Sequence, residues 1–213
     1  MQTILLTGAD GGIGAATGEL LTHAGLRVLT TTRADTDMTS AEDIQKLMGR
    51  ILTDTPHIDW IVCAHGFIDT ETVLEKQAPE NIQTTFAVNA LSIIYLARQF
   101  LPIISKGGGI IALSSSAGLN ANGRFSAYSA SKAAVNSFMQ AMALNRPEQK
   151  FFAVCPGPTN TAMRERVAHD AAQMQDPRVI AEVILAIITG DPQYKSGDLV
   201  LIKNAVTSVV GRV

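Results

Sequence analysis

The chain has 213 residues, 46% of them apolar and 17% charged, with a formal net charge of -2. That length accommodates one domain with a substantial core but cramps two, and the composition excludes a disordered chain. A near-neutral balance with no block of like charges gives no electrostatic reason to expect nucleic acid or an acidic membrane surface as partner.

Short β-rich apolar runs at residues 3–7, 27–31, 59–63, 110–114, 151–155 and 199–202 alternate with longer helical patterns at 12–23, 40–53, 79–104, 127–145 and 177–189. The runs are continuously apolar, as parallel strands covered on both faces are. Ser40 with Asp43 resembles a capping arrangement, and Pro79 and Pro177 suit first helical turns. This alternation implies right-handed βαβ crossovers: an α/β fold with a doubly wound, Rossmann-like parallel sheet between two helical layers, in one domain spanning 1–213. Cys63 and Cys155 each end an apolar run and read as buried thiols, with no disulfide framework and no metal site expected. The first strand begins without a basic leader, and no apolar stretch approaches the roughly 20 residues of a membrane span. A reducing, cytoplasmic location is the expectation.

The first strand runs into Thr7-Gly8-Ala9-Asp10-Gly11-Gly12-Ile13-Gly14 and then a helix. Glycines at such a turn permit positive φ and close approach of a pyrophosphate, while the helix N-terminus offers free N–H groups to its oxygens. Gly8, Asp10, Gly12, Ile13 and Gly14 are therefore candidate cofactor contacts. Further on, Ser115 closes a strand at the carboxyl edge of the sheet, where doubly wound folds bind ligands. Tyr128 and Lys132, at i and i+4, share one helix face. A free tyrosine, with a pKa of about 10, is a poor base, and a nearby ammonium favours its phenolate. The serine hydroxyl suits a substrate oxygen whose charge changes. Acid/base equipment and a phosphate cradle together point to hydride transfer with a nicotinamide cofactor.

The turn pattern Thr-Gly-x-x-x-Gly-x-Gly, Ser115 and the Tyr128-x-x-x-Lys132 signature resemble the short-chain dehydrogenase/reductase family, along nearly the whole chain. The resemblance implies an NAD(P)-dependent oxidoreductase acting on a small carbonyl or alcohol substrate. Tyr128 would exchange the proton, Ser115 polarise the substrate, and Lys132 also hold the nicotinamide ribose. Asn89, within Phe86-Ala87-Val88-Asn89-Ala90, matches the family's helix asparagine, which supports a proton relay through water. Pro156-Gly157-Pro158-Thr159-Asn160-Thr161 matches its Pro-Gly-x-x-x-Thr turn, making Pro156, Gly157, Thr159 and Thr161 cofactor contacts. Relatives pair the helices corresponding to 79–104 and 127–145, so a homodimer or homotetramer is expected. Two other readings stay open: a non-catalytic dinucleotide-binding sensor or scaffold, and an isomerase or lyase on the same scaffold.

Alignment with the family pattern places Thr32 where an acidic residue would select NAD, and Arg33 just after it. Arg33 suits a bidentate contact with a 2′-phosphate, so NADP is favoured over NAD; Asp10, Asp35 and Asp37 weigh on the other side. Asp37-Met38-Thr39 resembles the family's adenine-contacting segment, which makes Asp37 and Met38 cofactor contacts. It comes only four residues after Arg33, implying a shortened βαβ unit and a lost or stunted edge strand. Cys63-Ala64-His65-Gly66 stands where relatives have Asn-Asn-Ala-Gly; Gly66 still lets the backbone pass close to the cofactor, and His65 reads as a satisfied structural histidine. In the short lid segment 162–176, Met163, Val167 and Met174 suit a modest apolar pocket. Arg164 and Arg166 read as solvated ion pairs with Glu165 and Asp170 rather than as ligands of an acidic substrate.

Overall fold

The computed structural model describes residues 1–167 and 174–213. β1 (Thr3–Thr7) turns into α1 (Gly12–His23) and returns as β2 (Arg27–Thr31), parallel to β1. α2 (Ala41–Asp54) leads to β3 (Ile58–Cys63), on the other side of β1. A long helical crossover of α3 (Pro79–Phe86), a π-helical segment (Ala87–Leu91) and α4 (Ser92–Phe100) then reaches β4 (Ile104–Leu113). α5 (Ser126–Asn145), β5 (Lys150–Pro156), the short α6 (Ala162–Glu165), α7 (Pro177–Thr189), β6 (Leu199–Lys203) and β7 (Val206–Gly211) complete the order. The strands lie in the order β2-β1-β3-β4-β5-β6-β7, all parallel except β7.

Local chemistry explains where the helices start. The Ser40 hydroxyl accepts a 3.1 Å hydrogen bond from the Asp43 amide, capping α2 as its sequence anticipates. Asp176 caps α7 by accepting from the Arg178 amide at 2.7 Å, with Pro177 in the first turn. Side chains alternate across the parallel strands into two cores. Leu5, Ile61, Ile110 and Phe151 meet α2, α4 and α5 on one face. Ile4, Val62, Ile111 and Phe152 meet α1 and α7 on the other. Both faces being covered is why the strands read as unbroken apolar runs.

Three features differ from expectation. β4 starts six residues earlier than residue 110, running through Gly107, Gly108 and Gly109, a run that looks like a turn. A β-carbon at Gly109 would strike the Lys150 carbonyl, so a bare backbone is what lets β4 lie against β5 there. β7 is an additional antiparallel strand, joined to β6 by Asn204 and Ala205, both at positive φ (52° and 59°). That is the backbone of a tight hairpin turn, but without the customary glycine its signal is weak. Third, the helical run Pro79–Ile103 does have the length and composition of a membrane span. It is the β3–β4 crossover, with Ile93, Leu96, Ala97 and Phe100 buried against the sheet. The shortened unit after β2 has the expected consequence: no described strand lies outside β2, and the turn through Thr32–Thr39 leads directly to α2.

Candidate active site

The carboxyl ends of β1, β3, β4 and β5 open into a cavity of about 730 Å³. The glycine-rich turn forms one wall. Gly8 has φ +68°, and a β-carbon on it would lie 2.6 Å from the His65 amide nitrogen. One on Gly14 would strike the Gly8 carbonyl, and one on Gly12 would lie 2.7 Å from the Thr161 methyl. The turn is thus folded as tightly as glycine allows. No side chain caps α1 and no acid occupies its first turn, so its leading N–H groups and positive dipole end face the cavity. A cradle of this shape and polarity fits a dinucleotide pyrophosphate.

Next to β2, Arg33 is exposed on the cavity wall with Asp37 and Met38. Asp35 is turned into its own loop, accepting from the Thr32 amide and hydroxyl at 2.9 and 2.7 Å. These bonds hold its carboxyl below the ordinary range. Asp37 is bound in the same way by the Thr39 amide and hydroxyl, both at 2.8 Å. Met38 is 7% exposed and packs into the core beside α2.

Ser115, Tyr128 and Lys132 meet at the far end of the same cavity. Ser115 follows β4, and its Oγ accepts from the Ala117 amide at 3.1 Å. Tyr128 and Lys132 rise from the first turns of α5, with the Lys132 ammonium 5.8 Å from the phenol ring centre. Here the expected electrostatics is corrected. Burial raises the Tyr128 pKa, with only the Ser115 hydroxyl working against it. Lys132 Nζ, on the same helix face, donates to the Leu113 carbonyl at 2.7 Å. Burial also pulls the pKa of Lys132 itself down to about 8.

Asn89 lies in the π-helical segment and does not reach the cavity wall. Its amide clasps Phe67, accepting from that residue's N–H and donating to its carbonyl, both at 2.8 Å, and donates to Ser131 Oγ at 3.0 Å. It thereby fixes the Gly66–Phe67 segment. A β-carbon on Gly66 would lie 3.4 Å from Asn89 Oδ1, 3.7 Å from Lys132 Nζ and 3.8 Å from the Met163 methyl. His65 is the satisfied structural histidine its sequence context suggests. Nδ1 lies 2.6 Å from Thr7 Oγ1 and Nε2 lies 2.7 Å from Ser92 Oγ, tying β1 to α4. Burial, with the Lys132 charge nearby, lowers its pKa to about 3.

Pro156, Gly157, Thr159 and Thr161 line the wall after β5. The Thr159 hydroxyl is committed to the turn, donating to the Gly157 carbonyl at 2.9 Å and accepting from Gln175 Nε2 at 3.3 Å. Thr161 stands against Gly12 and caps α6. Met163 and Val167 line the cavity and Met174 does not. No described ion pair joins Glu165 to Arg164 or Arg166, and both arginines face the cavity; Asp170 lies outside the described residues. Phe67, Thr84, Asn122 and Phe125 also line the cavity. They come from loops and a helix face without any motif, and only the fold brings them in.

Comparison with known proteins identifies the family. The sequence model for short chain dehydrogenase matches residues 31–172. The uncharacterized oxidoreductase YciK of Escherichia coli is 29% identical over 164 residues, covering 74% of this chain and 65% of that protein, somewhat under two thirds of its length. Among solved structures, a short chain dehydrogenase of Shigella flexneri complexed with NADP superposes with a TM-score of 0.85 at 24% identity, covering 92% of this chain and 94% of that one. The 3-ketoacyl-(acyl-carrier-protein) reductase of Brucella melitensis complexed with NADH superposes with a TM-score of 0.89 at 16% identity, covering 95% and 97%. The chain belongs to the short chain dehydrogenase family.

Proposed function

We propose that this enzyme interconverts a carbonyl compound and its alcohol, with Tyr128 as the proton-exchanging group. The observation that carries the reading is the convergence of Ser115, Tyr128 and Lys132 on the cavity that the glycine-rich turn walls at its other end. A nicotinamide bound there supplies or accepts a hydride, two electrons with one hydrogen. Tyr128 moves the matching proton between its hydroxyl and the substrate oxygen, so that carbonyl plus hydride plus proton balances as alcohol. Ser115 Oγ donates to that oxygen while it carries charge, worth several kcal/mol when such a donor is pre-placed. In this reading Lys132, beside Gly66, holds the nicotinamide ribose, and its cationic form favours the tyrosinate. Asn89 acts through Phe67, holding the backbone that borders this corner.

NADP is the preferred cofactor in this reading. Asp35 and Asp37 spend hydrogen-bonding capacity on their own turns, and Arg33 is the exposed cation on the wall at the adenosine end, where Asp10 and Asp37 are the carboxylates. Gly8, Asp10, Gly12, Ile13, Gly14, Met38 and the Pro156–Thr161 turn complete the dinucleotide contacts. One domain, a cytoplasmic setting and a homo-oligomer belong to the same proposal. The central test is Tyr128→Phe: reduction of a carbonyl panel falls by at least about a thousandfold, while calorimetric affinity for NADPH stays within twofold. Retained turnover removes Tyr128 from proton exchange.

A further inference from the structure

The wall of the cavity is unevenly charged. Its described carboxylates, Asp10 and Asp37, both sit at the adenosine and phosphate end. The rest of the wall carries Lys132, Arg164 and Arg166 and no described carboxylate. Arg164 begins one residue past Met163, whose methyl borders the corner shared by Gly66 and Lys132. The Arg164 Nε is buried and has no hydrogen-bond partner among the described residues. A buried guanidinium N–H left without an acceptor costs more than an ordinary lost hydrogen bond, and Arg164, half-buried on the cavity wall, can turn this donor to an anion bound there. The uncapped start of α1, with Thr161 packed against it, is the holder of the pyrophosphate.

We propose that Arg164, assisted by Arg166, receives a carboxylate of the substrate, so that this enzyme acts on oxo acids or hydroxy acids. The proposal rests on the carbonyl–alcohol reading above and adds the substrate class. The carboxylate lies at the α6 end and the reacting oxygen faces Tyr128 and Ser115. Cations on the wall of a concave site also draw in anions from solution. Arg166 and the Lys132 charge add to that attraction without contacting the carboxylate themselves.

The test uses pyruvate, acetoacetate and levulinate with their methyl esters. Binding to the NADP-loaded Tyr128→Phe protein is measured by calorimetry, so that no turnover is needed for a readout. At least one acid is expected to bind about tenfold more tightly than its ester, the range of one charge-assisted hydrogen bond. Arg164→Gln should abolish that preference, and Arg164→Lys should restore part of it. If no acid exceeds its ester, or if the preference survives Arg164→Gln, the proposal is overturned. A tenfold loss of NADP affinity in Arg164→Gln would also overturn it, by assigning the arginine to the cofactor diphosphate. Parallel turnover by the unaltered enzyme separates the two readings: acid-selective binding without reduction would sink the carbonyl–alcohol reading and leave the carboxylate site standing.

Discussion

Lys132 is 3% exposed, and its ammonium has one described hydrogen-bond partner, the Leu113 carbonyl. Burial therefore disfavours its charge and lowers the pKa from 10.5 to about 8. Between those values the unfolded chain keeps a proton that the folded one has released, so this group adds stability as pH rises across that window; the burial penalty is fully present below it. Between pH 7.5 and 9 this group alone contributes about 1 kcal/mol of added stability. It is opposed by the buried Cys63 and Cys155 thiols, whose pKa burial pushes up to about 12. The contribution is therefore read as the difference in urea midpoint shift between the unaltered protein and the Lys132→Met variant. The variant should lack it; an equal shift in both proteins would show that the lysine is not the titrating group. At the other end of the cavity, Arg33 is the residue on which cofactor choice turns. Arg33→Ala should weaken NADPH binding by about tenfold or more, in line with the loss of a charge-assisted contact, and leave NADH within twofold. Equal losses for both would defeat the argument for NADP. The sequence shows Ser115, Tyr128 and Lys132 plainly, since spacing places them. It does not show that Lys132 is tied to Leu113 or that the Asp35 carboxylate is consumed by Thr32, because both depend on partners that only the folded backbone supplies.

Among the elements, the loop after β3 is held by its histidine, which bonds Thr7 and Ser92. His65 joins the ends of β1 and β3 to the helical crossover that carries Asn89. Its folded pKa of about 3 lies below the free value of 6.5. The folded state refuses a proton that the unfolded chain accepts, so stability is complete above pH 6.5 and is lost as pH falls towards 3. His65→Gln should cost about 1–3 kcal/mol at neutral pH through the weakened bonds. It should also flatten the fall in stability between pH 6.5 and 5, where the original protein loses about 1.5 kcal/mol to this group. An unchanged slope would mean that another group titrates there. Element positions were readable wherever apolar period and caps coincide, as at α2 and α7. The hairpin at Asn204-Ala205 was not, because its turn borrows a conformation that glycine would have advertised. The π-helical segment was hidden for a related reason: its residues Ala87–Leu91 have ordinary helical composition, and only the clasp between Asn89 and Phe67 marks the position.

At the scale of the molecule, the order β2-β1-β3-β4-β5-β6-β7 puts β2 at one edge and the added β7 at the other. The outer face of one helical layer is not fully polar. On the layer that contains α4 and α5, Leu91 is 43% exposed, Ile94 is 37% and Leu144 is 71%. Leu91 and Ile94 are three residues apart in one helical run and so share a face. They supply the apolar centre that an interface between two copies needs, while α4 and α5 keep their other faces on the sheet. A symmetric dimer through this layer would place the two cavities on independent subunits joined by rigid helices. Replacing both Leu91 and Ile94 by Glu puts like charges at the centre of such a self-complementary contact, and each appears twice by symmetry. Sedimentation should then show the mass of a single 22.6 kDa chain, against at least twice that for the unaltered protein, with NADPH affinity preserved in both. A monomeric unaltered protein would end the oligomer proposal, and an intact oligomer carrying both glutamates would move the interface off this layer, leaving the edge at β7 as the next face to alter.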